Sequence, residues 1–309
     1  MAEKIATRAS YGRALVELGA ENPDIVVLDA DLSGSTQTKK FADKYPERFF
    51  NAGIAEENMV GMAAGLALAG KIPFCSSFAM FASGRAWELI RNAVVHNRAN
   101  VKVCASHAGI TVGADGATHQ CLEDLAIMRA IPKMTVINPA DDVSARKLIK
   151  QAAAYNGPCY IRLGRAACPV VYGEDVEVEI GKALQVREGL DFTVIATGIM
   201  VEKAMEASEI LAAEGIQIRI LDMHTIKPID KEAIIHAAME TNGIVTAEEH
   251  NIVGGLGSAV AEVVCTCAPC KMAMIGVKDR MGESAEPDQL IEKYGLSGRH
   301  IAEAVKSLR

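Results

Sequence analysis

The residues best equipped for chemistry stand in a few short stretches of the 309-residue chain. SHAGITVGADGATHQ, residues 106–120, carries His107, Asp115 and His119 among glycines. It is too polar for a core and too rich in glycine for a helix. An irregular loop with this content, placed directly after a strand, is the usual form of a binding site, the alternative being a plain turn-rich connection. In NAGIAEENMVGMAAGLALAG, residues 51–70, Glu56 and Glu57 open a helix that is otherwise small and apolar. Its smooth surface of Gly61, Ala63, Ala64, Gly65, Ala67 and Ala69 suits close approach of another subunit, which would leave Glu56 at the edge of a dry interface. Burial favours the protonated form of a carboxyl group, which can donate a hydrogen bond to a ring nitrogen. The alternative is that both acids only complement the helix dipole. Phe78 and Phe81 in SSFAMFASGRAWE offer flat faces to a heteroaromatic ring, or belong to a core. Arg8, Ser35 and Arg165 each have an ordinary alternative as well: a solvated helix residue, an N-cap and a surface charge.

The elements that must position these residues follow from hydrophobic pattern. DIVVLD, RFFNAG, IPFCSSF, VKVCAS, MTVINP and PCYIRL alternate with helix-length segments near 9–21, 55–70, 80–98 and 141–155. Continuous apolar strands between helices predict a parallel sheet covered on both faces. A second series, DFTVIAT, IQIRIL, GIVTAE and MAMIGV with helices near 200–214, 231–241, 255–266 and 298–308, predicts a smaller α/β unit. The expected fold is therefore α/β, two doubly wound domains, divided near residue 175 into 1–175 and 176–309 within the Pro- and Gly-broken stretch after Arg165. Ligands of such sheets bind beyond the carboxyl ends of the strands. Asp29, Asp31, Ser33 and Ser35 follow the first strand, Glu56 the second, Phe78 and Phe81 the third, His107 to His119 the fourth and Arg165 the sixth, so five loops are expected on one rim.

A net charge of -7, a pI near 5.6 and the lack of a basic run argue against nucleic-acid or anionic-membrane partners. No uncharged apolar stretch is long enough for a signal sequence or a membrane span, and a cytoplasmic protein is expected. The eight cysteines lie mostly in strand-like runs and are expected to be free thiols. Cys265, Cys267 and Cys270 have no second CxxC or HxxxH nearby to complete a zinc site, so no metal is expected there.

GIAEENMVGMAAGLA resembles the cofactor-activating motif of the transketolase family. The resemblance implies that Glu56 hydrogen-bonds the aminopyrimidine of thiamine diphosphate, with Ile54, Phe78, Phe81 and Asp31 at the cofactor. A third aromatic position of many transketolases is Gly84 here. SHAGITVGADGATHQ resembles the family's substrate loop, which implies that Asp115 and His119 hold sugar hydroxyls. His107 would join Arg8, Ser35 and Arg165 around a terminal phosphate. The resemblance makes Glu56, His107 and His119 the expected catalytic residues. EEHNIVGGLGSAVAE and LDMHTIKPID are similar to the family's C-terminal domain, whose role is assembly, so His250 beside Glu249 is not expected to act as an acid–base pair. The GGLG turn could bind an anion or permit tight packing.

The family holds the diphosphate and a divalent metal with a GDG motif and a later asparagine, and no GDG occurs here. The resemblance therefore implies the C-terminal subunit of a split transketolase, in which an N-terminal partner chain binds most of the Mg (or Ca) site, with self-association through the pyrimidine domain. Two rivals remain. Deoxyxylulose-phosphate synthases share the GIAE form, with Ala55 where long transketolases carry arginine, and a non-catalytic partner-binding paralogue would keep the fold alone.

Overall fold

A computed structural model describes residues 3–309. After β1 (Lys4–Ile5), six parallel strands form most of the first sheet: β2 (Ile25–Asp29), β3 (Phe49–Asn51), β4 (Ile72–Phe78), β5 (Lys102–Ser106), β6 (Thr135–Ile137) and β7 (Cys159–Arg162). β8 (Cys168–Pro169) returns to pair with β1. The second sheet holds β9 (Leu184–Arg187), β10 (Phe192–Ala196), β11 (Ile218–Asp222), β13 (Ile244–Asn251) and β14 (Met272–Val277) in the order β14-β13-β10-β11-β9. β12 (Thr225–Lys227), although it follows β11 in sequence, joins the first sheet, whose order is β12-β6-β7-β5-β4-β2-β3.

Every residue of β2 is buried, as a strand covered on both faces requires. Side chains alternate across the sheet. Ile25 and Val27 pack with Tyr11, Leu15, Phe74 and Leu148 on one side, and Val26 and Leu28 with Met59, Val60, Cys75 and Ile90 on the other. This second core runs on without a break into Ile195, Leu221 and Val260 of the C-terminal unit.

Four strands depart from the expectation: β1 and β8, of two residues each, are too short to carry a pattern, and β9 and β12 differ for other reasons. β9 lies in a stretch treated as connector, because an antiparallel edge strand of four partly exposed residues has no continuous apolar run. β12 was missed because three residues carry no period, and only its antiparallel pairing with β6 defines it.

The two units share a buried polar seam. Arg162, at the end of β7, donates its Nε to Asp124 Oδ2 at 2.9 Å and its Nη2 to the Glu249 carbonyl at 2.9 Å. Tyr160 gives its hydroxyl to the same carboxylate oxygen at 2.8 Å. The side chains of Arg162 and Asp124 are 4% and 0% exposed, so this ion pair is out of water. Removing one partner of such a pair strands the other as a buried charge. Arg162→Met is expected to lower stability in urea denaturation by about 3–5 kcal/mol, and Asp124→Asn in the same chain to restore part of the loss. A single-variant loss below about 1 kcal/mol would show that the seam does not depend on the pair.

Candidate active site

Glu56 begins the helix Glu56–Leu68, directly after the turn that follows β3, and its side chain is only 3% exposed. At the helix start the free N–H groups favour a carboxylate. The charge also has a partner that the sequence reading overlooked. Arg85 Nη1 lies 3.3 Å from Glu56 Oε1 and 3.2 Å from Oε2. Arg85 closes the π-helical segment Met80–Arg85, and its guanidinium carbon sits 4.5 Å from the centre of the Phe81 ring. Residues four apart share a helix side, so the spacing of Phe81 and Arg85 was the available signal.

Phe78 and Phe81 stack at 6.0 Å between centroids, and Phe78 also stacks on His107 at 3.8 Å. His119 meets both phenylalanines edge-on. Phe78 is therefore largely covered by protein, whereas Phe81 remains half-buried beside the carboxylate. Ile54, on the turn before Glu56, is 77% exposed. Asp31, exposed and with positive φ, is held by the Asn51 side chain, which donates to its carboxylate at 3.0 Å and accepts its N–H at 3.1 Å.

A cationic corner lies along the same rim. Tyr11, hydrogen-bonded to Ser76 Oγ at 2.7 Å, ties the helix Thr7–Glu21 to β4 and places Arg8 near the strand ends. Arg8 Nη1 donates to the Ser35 carbonyl at 2.7 Å, and Arg165 Nη1 to the Val112 carbonyl at 3.1 Å. Asp29 shapes this corner: its buried carboxylate accepts from Leu32 N, Thr36 Oγ1 and Thr38 Oγ1 at 2.6, 2.6 and 2.8 Å, fixing the turn that carries Ser35. Burial raises the Asp29 pKa while these donors oppose the rise. Arg8 has a lowered pKa, first from burial and then from the nearby charge of Arg165.

His107 is buried, takes a positive φ of 58° and pairs its Nδ1 with Ser106 Oγ at 2.9 Å. Burial, then Arg8, Arg165 and His119, push its pKa down to about 3. It is a neutral hydrogen-bonding group at ordinary pH rather than a cation. Asp31 and His107 both hold the left-handed backbone that costs a non-glycine residue about 1–3 kcal/mol and gathers at working sites.

The segment after His107 is more ordered than its composition suggests. Residues 110–113 are buried, in a stretch of 3₁₀ turns over Ile110–Asp115 that is broken by a kink at Gly113. Thr111 N donates to Glu249 Oε1 at 2.6 Å, and Gly109, at φ 84°, leaves room for that carboxylate, which a Cβ would meet at 2.3 Å. Asp115 is exposed at the end of the stretch, and His119, partly exposed, contacts Thr118 Oγ1 through Nδ1 at 2.9 Å.

Glu249 and His250 do not face each other, because neighbours on a strand point to opposite faces. His250 is fully buried with its pKa pushed down to about 4, chiefly by burial, and its Nε2 accepts from Ala126 N at 3.4 Å. The GGLG turn receives a carboxyl group of the chain itself: Glu248 accepts from Leu256 N and Gly257 N at 2.7 and 2.8 Å. A Cβ at Gly255 would stand 2.0 Å from the Glu248 carboxylate, so the turn serves packing as well. Cys265 and Cys267 are exposed free thiols, and Cys270 is a partly exposed one. No helix of the described residues is long and apolar enough to cross a membrane.

The parallel α/β architecture and its loaded rim define a class, and comparison with known proteins narrows it. The model described as "Transketolase, pyrimidine binding domain" matches residues 3–171, and "Transketolase, C-terminal domain" matches residues 181–301. The chain belongs to the transketolase family. It is 52% identical over 96% of its length to a protein of Methanocaldococcus jannaschii described as a transketolase C-terminal section, covering 94% of that protein. It is 44% identical to a 6-deoxy-6-sulfo-D-fructose transketolase subunit of Clostridium sp., over 96% of this chain and 92% of that one. A solved split-gene transketolase, described as an inactive beta4 tetramer, superposes with a TM-score of 0.91 at 52% identity, covering 99% of this chain and 98% of that chain.

The depressed pKa of His107 sets a pH dependence. A histidine with a folded pKa below its unfolded value of about 6.5 binds fewer protons when folded, so native stability is lost as pH falls below about 6.5 and on towards 3. NMR titration should find His107 neutral at about pH 5. His107→Asn, which tolerates the left-handed backbone, should flatten the acid-side fall in denaturation midpoint. An imidazole already charged at pH 5 would refute the assignment.

Proposed function

We propose that this chain supplies the pyrimidine-activating half of a thiamine-diphosphate-dependent transketolase, which moves a two-carbon ketol unit between phosphorylated sugars. The observation that carries the proposal is the shared rim: buried Glu56 beside the Phe81 face at one end, and Arg8, Arg165 and His107 together at the other. A carboxylate next to a flat apolar ring suits an aminopyrimidine, and the planar guanidinium of Arg85 lying against both supports that reading. When bound, the cofactor supplies the carbanion chemistry.

Glu56 would hold the ring nitrogen and its proton, Phe81 would present the stacking face with Phe78 packed behind it, and Ile54 and Asp31 would border the cofactor. The guanidinium groups of Arg8 and Arg165 take the terminal phosphate of the sugar, with neutral His107 adding a hydrogen bond and the turn of Ser35 closing the pocket. Their mutual repulsion is relieved when an anion enters. Asp115 and His119 reach the sugar hydroxyls from the edge of the loop. The Clostridium relative's named sugar bears a sulfonate, which is consistent with a pocket for a tetrahedral oxoanion. We place the division between the two units near residue 175, in the segment between β8 and β9.

The diphosphate and its Mg (or Ca) ion fall to an N-terminal partner chain carrying GDG, in a cytoplasmic assembly. The exposed stripe of the helix Glu56–Leu68, where Gly61 and Gly65 face open space and Leu68 is 65% exposed, is the surface proposed for self-association. The isolated chain should be folded, self-associated and inactive, and mixing with the partner, thiamine diphosphate and Mg²⁺ should restore ketol transfer from xylulose 5-phosphate to ribose 5-phosphate. Turnover by the chain alone, shown free of partner by mass spectrometry, would overturn the split-enzyme assignment.

In the assembled enzyme, Arg8→Ala and Arg165→Ala should each raise KM for phosphorylated acceptors by about ten- to a hundredfold, the worth of a charge-assisted contact. Activity on glycolaldehyde, which has no phosphate, should be spared. Equal losses on both acceptors would assign the arginines a structural role instead.

A further inference from the structure

Arg85 makes with the protein the two contacts that the cofactor ring would make. Its Nη1 spans both oxygens of Glu56 at 3.2 and 3.3 Å, and its guanidinium lies over Phe81 at 4.5 Å from the centroid. The likeness is chemical as well as positional. A guanidinium is a planar, delocalised cation with N–H donors along its edge, and the edge of a protonated aminopyrimidine is an amidinium with the same shape and donors. Arg85 is also free to leave, since its side chain is 50% exposed and, among the described residues, its hydrogen bonds reach only Glu56, which is itself 3% exposed.

Resting on the cofactor assignment above, we infer that Arg85 is the resident occupant of the pyrimidine seat, a built-in stand-in that compensates the Glu56 charge until thiamine diphosphate displaces it. A carboxylate removed from water and left alone would be costly. With Arg85 in place the empty seat is satisfied, and the price appears as weaker apparent affinity for the cofactor, because only the fraction of molecules with Arg85 swung out can accept it. On entry the guanidinium moves to solvent, and the ring takes over both the Glu56 hydrogen bond and the Phe81 face.

The test is calorimetric titration of thiamine diphosphate, with Mg²⁺, into the cofactor-free complex of this chain with its N-terminal partner. Arg85→Ala and Arg85→Met are compared with the wild type. Met keeps an apolar stem over Phe81, so it guards against a loss of packing, and near-UV circular dichroism confirms that each variant is folded. A half-exposed ion pair holds back binding by about fivefold, so both variants should bind the cofactor about fivefold more tightly than the wild type. If all three complexes bind it and the variants are equal to or weaker than the wild type, Arg85 is a permanent wall of the site and the exchange is wrong, while the cofactor assignment stands. If no complex binds thiamine diphosphate, the cofactor assignment itself falls, and the exchange with it.

Discussion

The buried pair of Arg162 and Asp124 constrains the rest of the molecule. Taking two such charges out of water costs several kcal/mol each, which the hydrogen bonds made by Arg162 and by Asp124 Oδ2 go to offset, while Asp124 Oδ1 has no hydrogen-bond partner. One of those bonds ends on the Glu249 carbonyl, so β13 of the second unit has to lie against the end of β7 in one position. From there the Glu249 side chain reaches Thr111 N and pins the floor of the rim loop. With that floor fixed, His107 is turned inward onto Phe78. A charge pair remote from the proposed chemistry thereby sets the shape of the site.

The rim itself is electrically divided. Its acidic end is compensated within the chain by Arg85, whereas its basic end, with Arg8 and Arg165 near each other, has its guanidinium groups bound only to carbonyl oxygens. Two like charges beside a neutral imidazole give this end of the rim a positive field, which is the basis of the phosphate role proposed for it. The second unit holds its charges differently. Burial pushes Glu248 up to about 7 while the helix N-terminus it caps pulls the other way, and His250 is kept neutral, so these groups serve the seam between the units.

Sequence pattern sufficed wherever burial was two-sided. β2, β4 and β5 read as continuous apolar runs because helices cover both faces, and the polar residues immediately after them marked the rim. Pattern failed where structure depends on distant partners. β9 and β12 are defined by the strands they pair with. The burial of Ile110 to Gly113 comes from the second unit folding over a loop that is polar in composition. Arg85 was passed over because a lone arginine in a helical stretch resembles a solvated charge, and only the fold brings it to Glu56. Asp29 was noted for its place after a strand, but its part in shaping the turn of Ser35 lies in three hydrogen bonds that spacing does not announce.

β12 gives the chain an indivisible character. The stretch between β8 and β9 contains no helix or strand and looks like a natural cut, yet the strand that covers the edge of β6 comes from beyond it. Cutting the gene there would leave the first sheet with an unpaired margin, a template for pairing with any other exposed strand. The second fragment would meanwhile carry a strand with no sheet to join. Separating the two units at this point therefore costs each of them a strand pairing, so the connector is a poor place to divide the chain.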